Sequence, residues 1–262
     1  MYDIAVIGGG PAGLSAAIQA RARNKSVLVV SGDDRDNPLY KTSRIDNYLG
    51  FYNVTGPELL ERFRTHAGQM GVERRDGRVL NLLAVGGAYY LSIGSEVEQA
   101  RAVVLATGVV RAKKYPGEAE RLGAGVSYCA TCDGMLYRGK PVAVVGYTDT
   151  ARQEAEFLQK IGCSVTYFDR PKQCEIRGDG RVESVTCDGR TIPAEGVFIL
   201  RPTMAPTELF PGLAVEQGYV TVDRRMATNL PGLFAAGDCT GGPLQVSKAA
   251  GDGLIAGQSA AA

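Results

Sequence analysis

Residues 2–13 read YDIAVIGGGPAG: an apolar run that ends in glycines. SAAIQARARN (15–24) then follows at helical spacing, and a second apolar run, KSVLVVSG (25–32), comes after it. A short, nearly continuous apolar run bounded by glycine is the pattern of a strand buried on both faces. Two such strands joined through a helix pair in parallel by a right-handed crossover. The same order recurs in KPVAVVG (140–146), ARQEAEFLQKIG (151–162) and SVTYFD (164–169). A chain of 262 residues that is 45% hydrophobic has length and apolar content for two such units, each with its own core. Between and after them the sequence predicts an amphipathic helix over 57–71, with Pro57 in its first turn and Gly71 as its stop. Strand-like pieces follow at RVLNLLAV, AYYLSI and RAVVLATG. The tail, GLFAAGDCTGGPLQVSKAAGDGLIAGQSAA, reads as a strand, a glycine-rich turn and a helix of small residues.

Gly8, Gly10 and Gly13 stand at G-x-G-x-x-G spacing, after a strand and before a helix. In that context the first glycine permits a tight turn, the second leaves bare backbone that a pyrophosphate can approach, and the third allows close helix–strand packing. Pro11 and Ala12 begin a helix whose unpaired N–H groups face the phosphates. The fold expected is therefore α/β: two dinucleotide-binding, Rossmann-like, three-layer domains, the second inserted into the first and reduced in size. The division expected is 1–111 with 207–262 for the first and 112–206 for the second. At the end of the second strand, where a carboxylate would hold ribose hydroxyls, Ser31 stands instead, with Asp33 and Asp34 beyond it. Ala106, Thr107 and Gly108 close a buried strand with a small, hydroxyl-bearing turn. In LFAAGDC (233–239) Gly237 permits close approach and Asp238 can hold a sugar hydroxyl.

Six cysteines stand at 129, 132, 163, 174, 187 and 239, and only Cys129 and Cys132 are closely spaced. C-x-x-C at a helix start suits a reversible disulfide, because the free N–H groups there lower a thiol's pKa. Half a zinc site is the alternative. It would need a second ligand pair, and the one histidine, His66, is remote in sequence, so no metal is expected. The other four cysteines read as bystanders. A net charge of +1, from 29 basic and 28 acidic residues, speaks against nucleic acid or an anionic membrane as partner. No stretch is apolar enough to span a bilayer, and the first residues read as a strand with no basic leader or cleavage pattern. The expected location is cytoplasmic.

GGGPAG, then ATG, then a C-terminal GD before a helix resembles the layout of flavoprotein reductases with two dinucleotide domains. SYCATCDG (127–134) resembles the redox centre of the low-molecular-weight thioredoxin reductases, and the similarity runs over nearly the whole chain. It includes RIDNYLG (44–50) and LQVSKAAGDG (244–253), which resemble that family's flavin-contacting loop and helix start. The resemblance implies FAD held by Gly8, Gly10, Pro11, Ala12, Gly13, Ser31, Asn47, Ala106, Thr107, Gly108, Gly237, Asp238 and Gln245. Gln245 would meet the pyrimidine edge of the ring; the preceding Leu244 departs from the family's usual arginine. It also implies that Cys132 exchanges electrons with the flavin and Cys129 attacks the substrate disulfide. Asp133 would supply or accept the proton; helix capping is its other reading. Thioredoxin, or a protein like it, is the implied substrate, and a homodimer the implied assembly.

The second unit departs from that family. Its turn, GYTDTA (146–151), keeps Gly146 and Ala151 but sets Tyr147 and Thr148 where a pyrophosphate needs bare backbone. After the next strand, Tyr167–Phe168–Asp169–Arg170–Pro171–Lys172–Gln173 lacks the paired arginines that grip a 2′-phosphate. The expectation is a lost nicotinamide site and a donor other than NADPH, with ferredoxin favoured by resemblance to the pyridine-nucleotide-independent branch. A basic docking patch for an acidic ferredoxin would draw on Arg111, Lys113, Lys114, Arg170, Lys172 and Arg201. Tyr147 as a stacking surface for a second flavin is a further alternative. Linkers near 111–114 and 203–207 are candidate hinges. Three other readings stay open: an NADPH-dependent enzyme with a divergent site, a dithiol oxidase using oxygen, and a non-catalytic flavin redox sensor.

Overall fold

A computed structural model describes residues 1–108, 114–148, 150–201 and 206–262. Of the candidates above, Arg111, Lys113, Asp149 and most of both linkers lie outside the described residues. The chain divides into two compact units, Met1–Val110 with Thr203–Ala262, and Arg111–Pro202.

The first unit opens with β1 (Tyr2–Ile7), α1 (Pro11–Arg21), β2 (Val27–Ser31), α2 (Gly56–Gln69), β3 (Glu73–Asp76), β4 (Val79–Val85), β5 (Ala88–Ile93) and β6 (Glu96–Leu105). The second comprises β7 (Val126–Ser127), α3 (Ala130–Asp133), β8 (Pro141–Gly146), α4 (Ala151–Lys160), β9 (Ser164–Asp169), β10 (Cys174–Arg177), β11 (Ser184–Cys187), β12 (Arg190–Pro193) and β13 (Gly196–Leu200). The chain then returns to the first unit with α5 (Pro206–Leu209), β14 (Val215–Glu216), β15 (Tyr219–Val220), β16 (Leu233–Ala235) and α6 (Val246–Ala260).

The first unit is built on a seven-stranded sheet of order β3-β2-β1-β6-β5-β4. β1, β2 and β3 pair in parallel, and β6 pairs in parallel with β1. β6 is long enough to serve two neighbours on its other side. Its first half pairs antiparallel with β5, and Val103–Leu105 pair in parallel with β16. This places the carboxyl ends of β1, β6 and β16 side by side. α1 and α6 cover one face through small side chains, Ala12, Ala16, Ala17 and Ala249 among them. Backbone contact there depends on glycine: a Cβ on Gly253 or Gly257 would stand 2.1 or 2.3 Å from a carbonyl oxygen of α1. Ser15 Oγ donates to Ala250 O at 2.7 Å across the same seam. α1 starts at Pro11, earlier than the apolar spacing suggests, and ends at Arg21, short of Asn24, which takes a positive φ of 59°. α2 begins with a reciprocal capping box between Thr55 and Glu58 and stops before Gly71, φ +74°.

The second unit has a parallel four-stranded sheet, β7-β13-β8-β9. α3 and α4 cover one face through Ala130, Ala151, Ala155 and Leu158. The antiparallel ribbon β10-β11-β12 covers the other with Ile176, Val185 and the Cys174 and Cys187 side chains. Each fully buried aliphatic side chain adds roughly 1.5–3 kcal/mol of apolar burial, which is what holds these layers together. Among the described residues, no helix is long and apolar enough to cross a membrane.

One expectation is overturned here. Cys174 and Cys187 are not bystanders: they stand directly opposite one another in the β10–β11 register and form a disulfide. Their separation of 13 residues carries no signal. Only the antiparallel register brings the two Cβ atoms within reach.

Candidate active site

At the end of β1 the chain turns through Gly8, φ +119°, whose missing side chain lets it lie on β6: a Cβ there would stand 2.1 Å from Ala106 O. Gly13 sits against Gly8 O just as closely. Gly10 is different. A Cβ there would meet the end of the Asn37 side chain, Nδ2 at 3.4 Å, in ordinary contact and with no backbone in the way. Gly10 caps α1 with no side chain to accept the helix's first N–H groups, and Pro11 at the first turn has none to offer. The Ala12 and Gly13 N–H groups are thus available to an anion.

Two other turns flank this one. Ala106–Gly108 follow β6, and the Thr107 Oγ1 is buried without a hydrogen-bond partner. Gly237 and Asp238 follow β16. Lys248 and Asp252 of α6 hold that turn: Gly237 N–H donates to Asp252 Oδ2 at 3.1 Å, and Lys248 Nζ donates to Gly237 O at 2.8 Å while pairing with Asp252. Asp238 itself is half-buried. Burial, and then the Asp252 carboxylate, push its carboxyl above the usual range against the pull of Lys248. An orphaned buried hydroxyl, a half-buried carboxyl, helix N–H groups without a side-chain cap and a glycine crowded by no backbone, at the carboxyl ends of the strands, fit a dinucleotide with sugar hydroxyls, as FAD is.

The remaining predicted contacts fall in two places. Asn47 and Gln245, far apart in sequence, meet: Asn47 Nδ2 donates to Gln245 Oε1 at 2.9 Å. Ser31 Oγ is buried and accepts from Arg74 Nε at 3.0 Å; Arg74 in turn pairs with Asp76 at 2.8 Å. At the end of β2, where a single carboxylate was the pattern sought, stand a serine and an arginine of β3 in contact with it. No local motif announces Arg74; the parallel register Ser31↔Asp76 and Val29↔Arg74 brings it there.

In the second unit Cys129 and Cys132 are joined by a disulfide at the start of α3. Cys129 is buried, and its Sγ accepts the Cys132 N–H at 3.0 Å and lies 3.5 Å from Thr131 Oγ1. Cys132 is exposed. Asp133, half-buried, accepts from Ser127 Oγ at 2.7 Å. Cys163 and Cys239 stay free and buried. Burial pushes the Cys163 thiol up and takes that of Cys239 to about 11, so neither is a nucleophile at neutral pH. Among the described residues, no three His, Cys, Asp or Glu groups converge to hold a metal ion.

The turn after β8 is filled. Tyr147 OH donates to Pro171 O at 2.9 Å and touches the Tyr115 hydroxyl, spanning from the β8 turn to the segment after β9. Tyr167 closes the floor: a Cβ on Gly146 would stand 2.2 Å from its hydroxyl. Asp169 pairs with Arg152 at 3.0 Å. Behind Tyr115 lies a group of residues that no motif indicated. Glu118, fully buried, takes both guanidinium nitrogens of Arg201 at 2.6 and 2.8 Å, the Tyr128 hydroxyl at 2.9 Å and the Tyr115 N–H at 2.8 Å. Arg201 is thereby removed from the set of docking cations: its charge is committed inside the unit.

A family model described as pyridine nucleotide-disulphide oxidoreductase matches residues 2–177 and 170–253. The chain is 34% identical to the thioredoxin reductase of Listeria innocua over 296 residues, covering 99% of this chain and 93% of the relative. Among solved structures, a ferredoxin-flavin thioredoxin reductase from Clostridium acetobutylicum is 41% identical with a TM-score of 0.92, covering 99% of this chain and 96% of that one. A thioredoxin reductase from Gloeobacter violaceus is 31% identical with a TM-score of 0.85, covering 99% and 93%.

Proposed function

The chain belongs to the pyridine nucleotide-disulphide oxidoreductase family, and from that premise we propose that it reduces the disulfide of thioredoxin, or a protein like it, with electrons that do not come from NADPH. It is an FAD-dependent disulfide oxidoreductase. The unit formed by Met1–Val110 and Thr203–Ala262 is the FAD-binding one, and Gly8, Gly10, Pro11, Ala12, Gly13, Ser31, Asn47, Ala106, Thr107, Gly108, Gly237, Asp238 and Gln245 are its contacts. The N–H groups of Ala12 and Gly13 take the pyrophosphate, Asp238 and Thr107 take hydroxyls, and the Asn47–Gln245 pair takes the ring edge. Bound there, the flavin supplies the passage from single electrons to the pair that a disulfide needs.

The chain's own residues then handle sulfur and protons. The Cys132 N–H and the Thr131 hydroxyl favour a thiolate at Cys129, the sulfur assigned to attack the partner disulfide, although Cys132 is the more exposed of the two and Cys129 must be uncovered for that step. Asp133 exchanges the proton.

One observation carries the donor assignment. The Tyr147 hydroxyl is bonded to Pro171 O, so the path that a nicotinamide dinucleotide takes between the β8 turn and the end of β9 is crossed by a side chain. At the end of β9, Asp169 holds the Arg152 guanidinium in an ion pair, so that cation is already engaged and the paired arginines that would grip a 2′-phosphate are missing. Reduced ferredoxin is the donor proposed, as the name of the Clostridium acetobutylicum structure says of that protein. Lys114, Arg170 and Lys172 put positive charge on the surface for an acidic carrier. The homodimer belongs to the same proposal and is read by sedimentation. The test is anaerobic mixing of the flavin-loaded protein with NADPH, NADH and photoreduced ferredoxin in parallel. Bleaching by ferredoxin alone is expected; bleaching by NADPH at a turnover-competent rate overturns the donor assignment.

A further inference from the structure

Ser127 ends the two-residue strand β7, hydrogen-bonded in register to Phe198 of the central strand β13, and its side chain is buried. Its hydroxyl sits between the two chemical parts of the C-x-x-C-D motif. Ser127 Oγ accepts the Cys129 N–H at 3.1 Å and donates to Asp133 Oδ2 at 2.7 Å; Cys129 O is a second, longer acceptor at 3.2 Å. A hydroxyl has one proton to give, and the shorter contact to a carboxylate takes it. Among the described residues, Cys129 caps the helix that holds Cys132 and Asp133, and Tyr137 of the following turn has its phenol pushed up by burial and then by Asp133 and Glu195. α4, packed against α3, presents Phe157, Leu158 and Ile161 near Gly134, all of them apolar.

We propose that Ser127 is a positioning residue for the redox centre: it locks Oδ2 of Asp133 and leaves Oδ1 free to move the proton. The inference rests on the reading of Asp133 given above. In the exchange step the Cys129 thiolate attacks the partner disulfide, and the resulting mixed disulfide is then broken by Cys132. The Cys129–Cys132 bond forms, the partner's S–S bond breaks, and two electrons pass to the partner. Of the two protons that its sulfurs need, one comes from the Cys132 thiol and one from the Asp133 carboxyl, which solvent recharges. An Asp133 free to rotate would miss the leaving sulfur in part of its conformations.

The test compares Ser127→Ala, Ser127→Thr, Asp133→Asn and the Ser127→Ala/Asp133→Asn double variant in the flavin-loaded enzyme. Two readouts are used: the pH profile of thioredoxin reduction and the pH-dependent alkylation of the chemically reduced cysteine pair. Loss of a hydrogen bond to a charged group predicts a slowing of about 10- to 100-fold for Ser127→Ala. The pH profile and the alkylation should both depart from those of the wild type. Threonine should restore both, and Ser127→Ala should add nothing on top of Asp133→Asn. Wild-type rate and profile in Ser127→Ala overturn the proposal. So does an equal slowing with and without Asp133, or a folded threonine variant that restores nothing. Alkylation needs neither donor nor partner, so failure of the proposed overall reaction leaves that arm to decide on Ser127 by itself.

Discussion

The turns after β1 and β8 occupy the same place in the same strand–turn–helix–strand unit, and only one of them is bare. After β1, Gly10 has only the end of the Asn37 side chain on its Cβ side and α1 offers N–H groups without a side-chain cap. After β8, Tyr147 reaches across to Pro171 O, and Tyr167 lies where a Cβ on Gly146 would go. The strands beneath are equally buried in both units. Scaffold and turn are thus separable: similar buried strands carry a bare turn in one unit and a turn occupied by hydrogen-bonded tyrosines in the other. A polar crevice left without its ligand would expose unpaired backbone groups, and the tyrosine hydroxyl pairs one of them.

The largest break in this comparison should come from adding one methyl group to each turn. Gly8→Ala would force a Cβ to 2.1 Å from a backbone oxygen at a φ of +119°. The expected outcome is loss of the flavin absorbance and destabilisation by about 4 kcal/mol or more. Gly146→Ala meets side chains and no backbone, the Tyr167 hydroxyl at 2.2 Å and the Ala151 Cβ at 2.8 Å. It should cost about 1–3 kcal/mol in thermal or denaturant unfolding and keep its flavin. Equal behaviour of the two variants would break the contrast.

Glu118→Gln tests what supports the filled turn. Removing one charge from a buried pair costs about 3–5 kcal/mol, because Arg201 is left uncompensated. The pH dependence follows in sign. Burial alone would raise the Glu118 carboxyl, but the Arg201 hydrogen bonds, the Tyr115 N–H and the Tyr128 hydroxyl hold it below its ordinary value. A depressed carboxyl contributes stability above its unfolded pKa, near 4.3, and loses it as pH falls through the folded value. Wild-type protein should therefore lose stability in acid more steeply than Glu118→Gln, as read by unfolding at several pH values.

The smallest effect sharpens the bare turn. Thr107 Oγ1 is buried with no protein partner, so Thr107→Val should change the flavin-free protein by about 0.5 kcal/mol or less. It should weaken flavin binding by about tenfold, one lost hydrogen bond, in a titration of the flavin-free protein. A stability loss without an affinity loss would place the hydroxyl's role in the fold.

Much of the site was legible because it is local. Gly8–Gly13 and Cys129–Cys132 each lie within one turn of chain, and backbone geometry dictates the residue types they need. Arg201 misled for the opposite reason. A basic residue at the end of a strand reads as a surface cation until its partner 83 positions away is known. Asn47 with Gln245, Ser31 with Arg74 and Ser127 with Asp133 show the same limit at different ranges.

By itself the sequence determined the two βαβ units, the open turn, the crowded turn and the C-x-x-C pair. The periods of strand and helix, and the glycine or cysteine spacing, are set within a few residues. Tertiary structure alone decided that Cys174 bonds Cys187, that Glu118 is sealed against Arg201, and that a buried serine grips Asp133. Those pairings depend on strand register and on which faces meet. Burial makes such contacts strong, and no stretch of neighbouring residues encodes which polar groups are buried together.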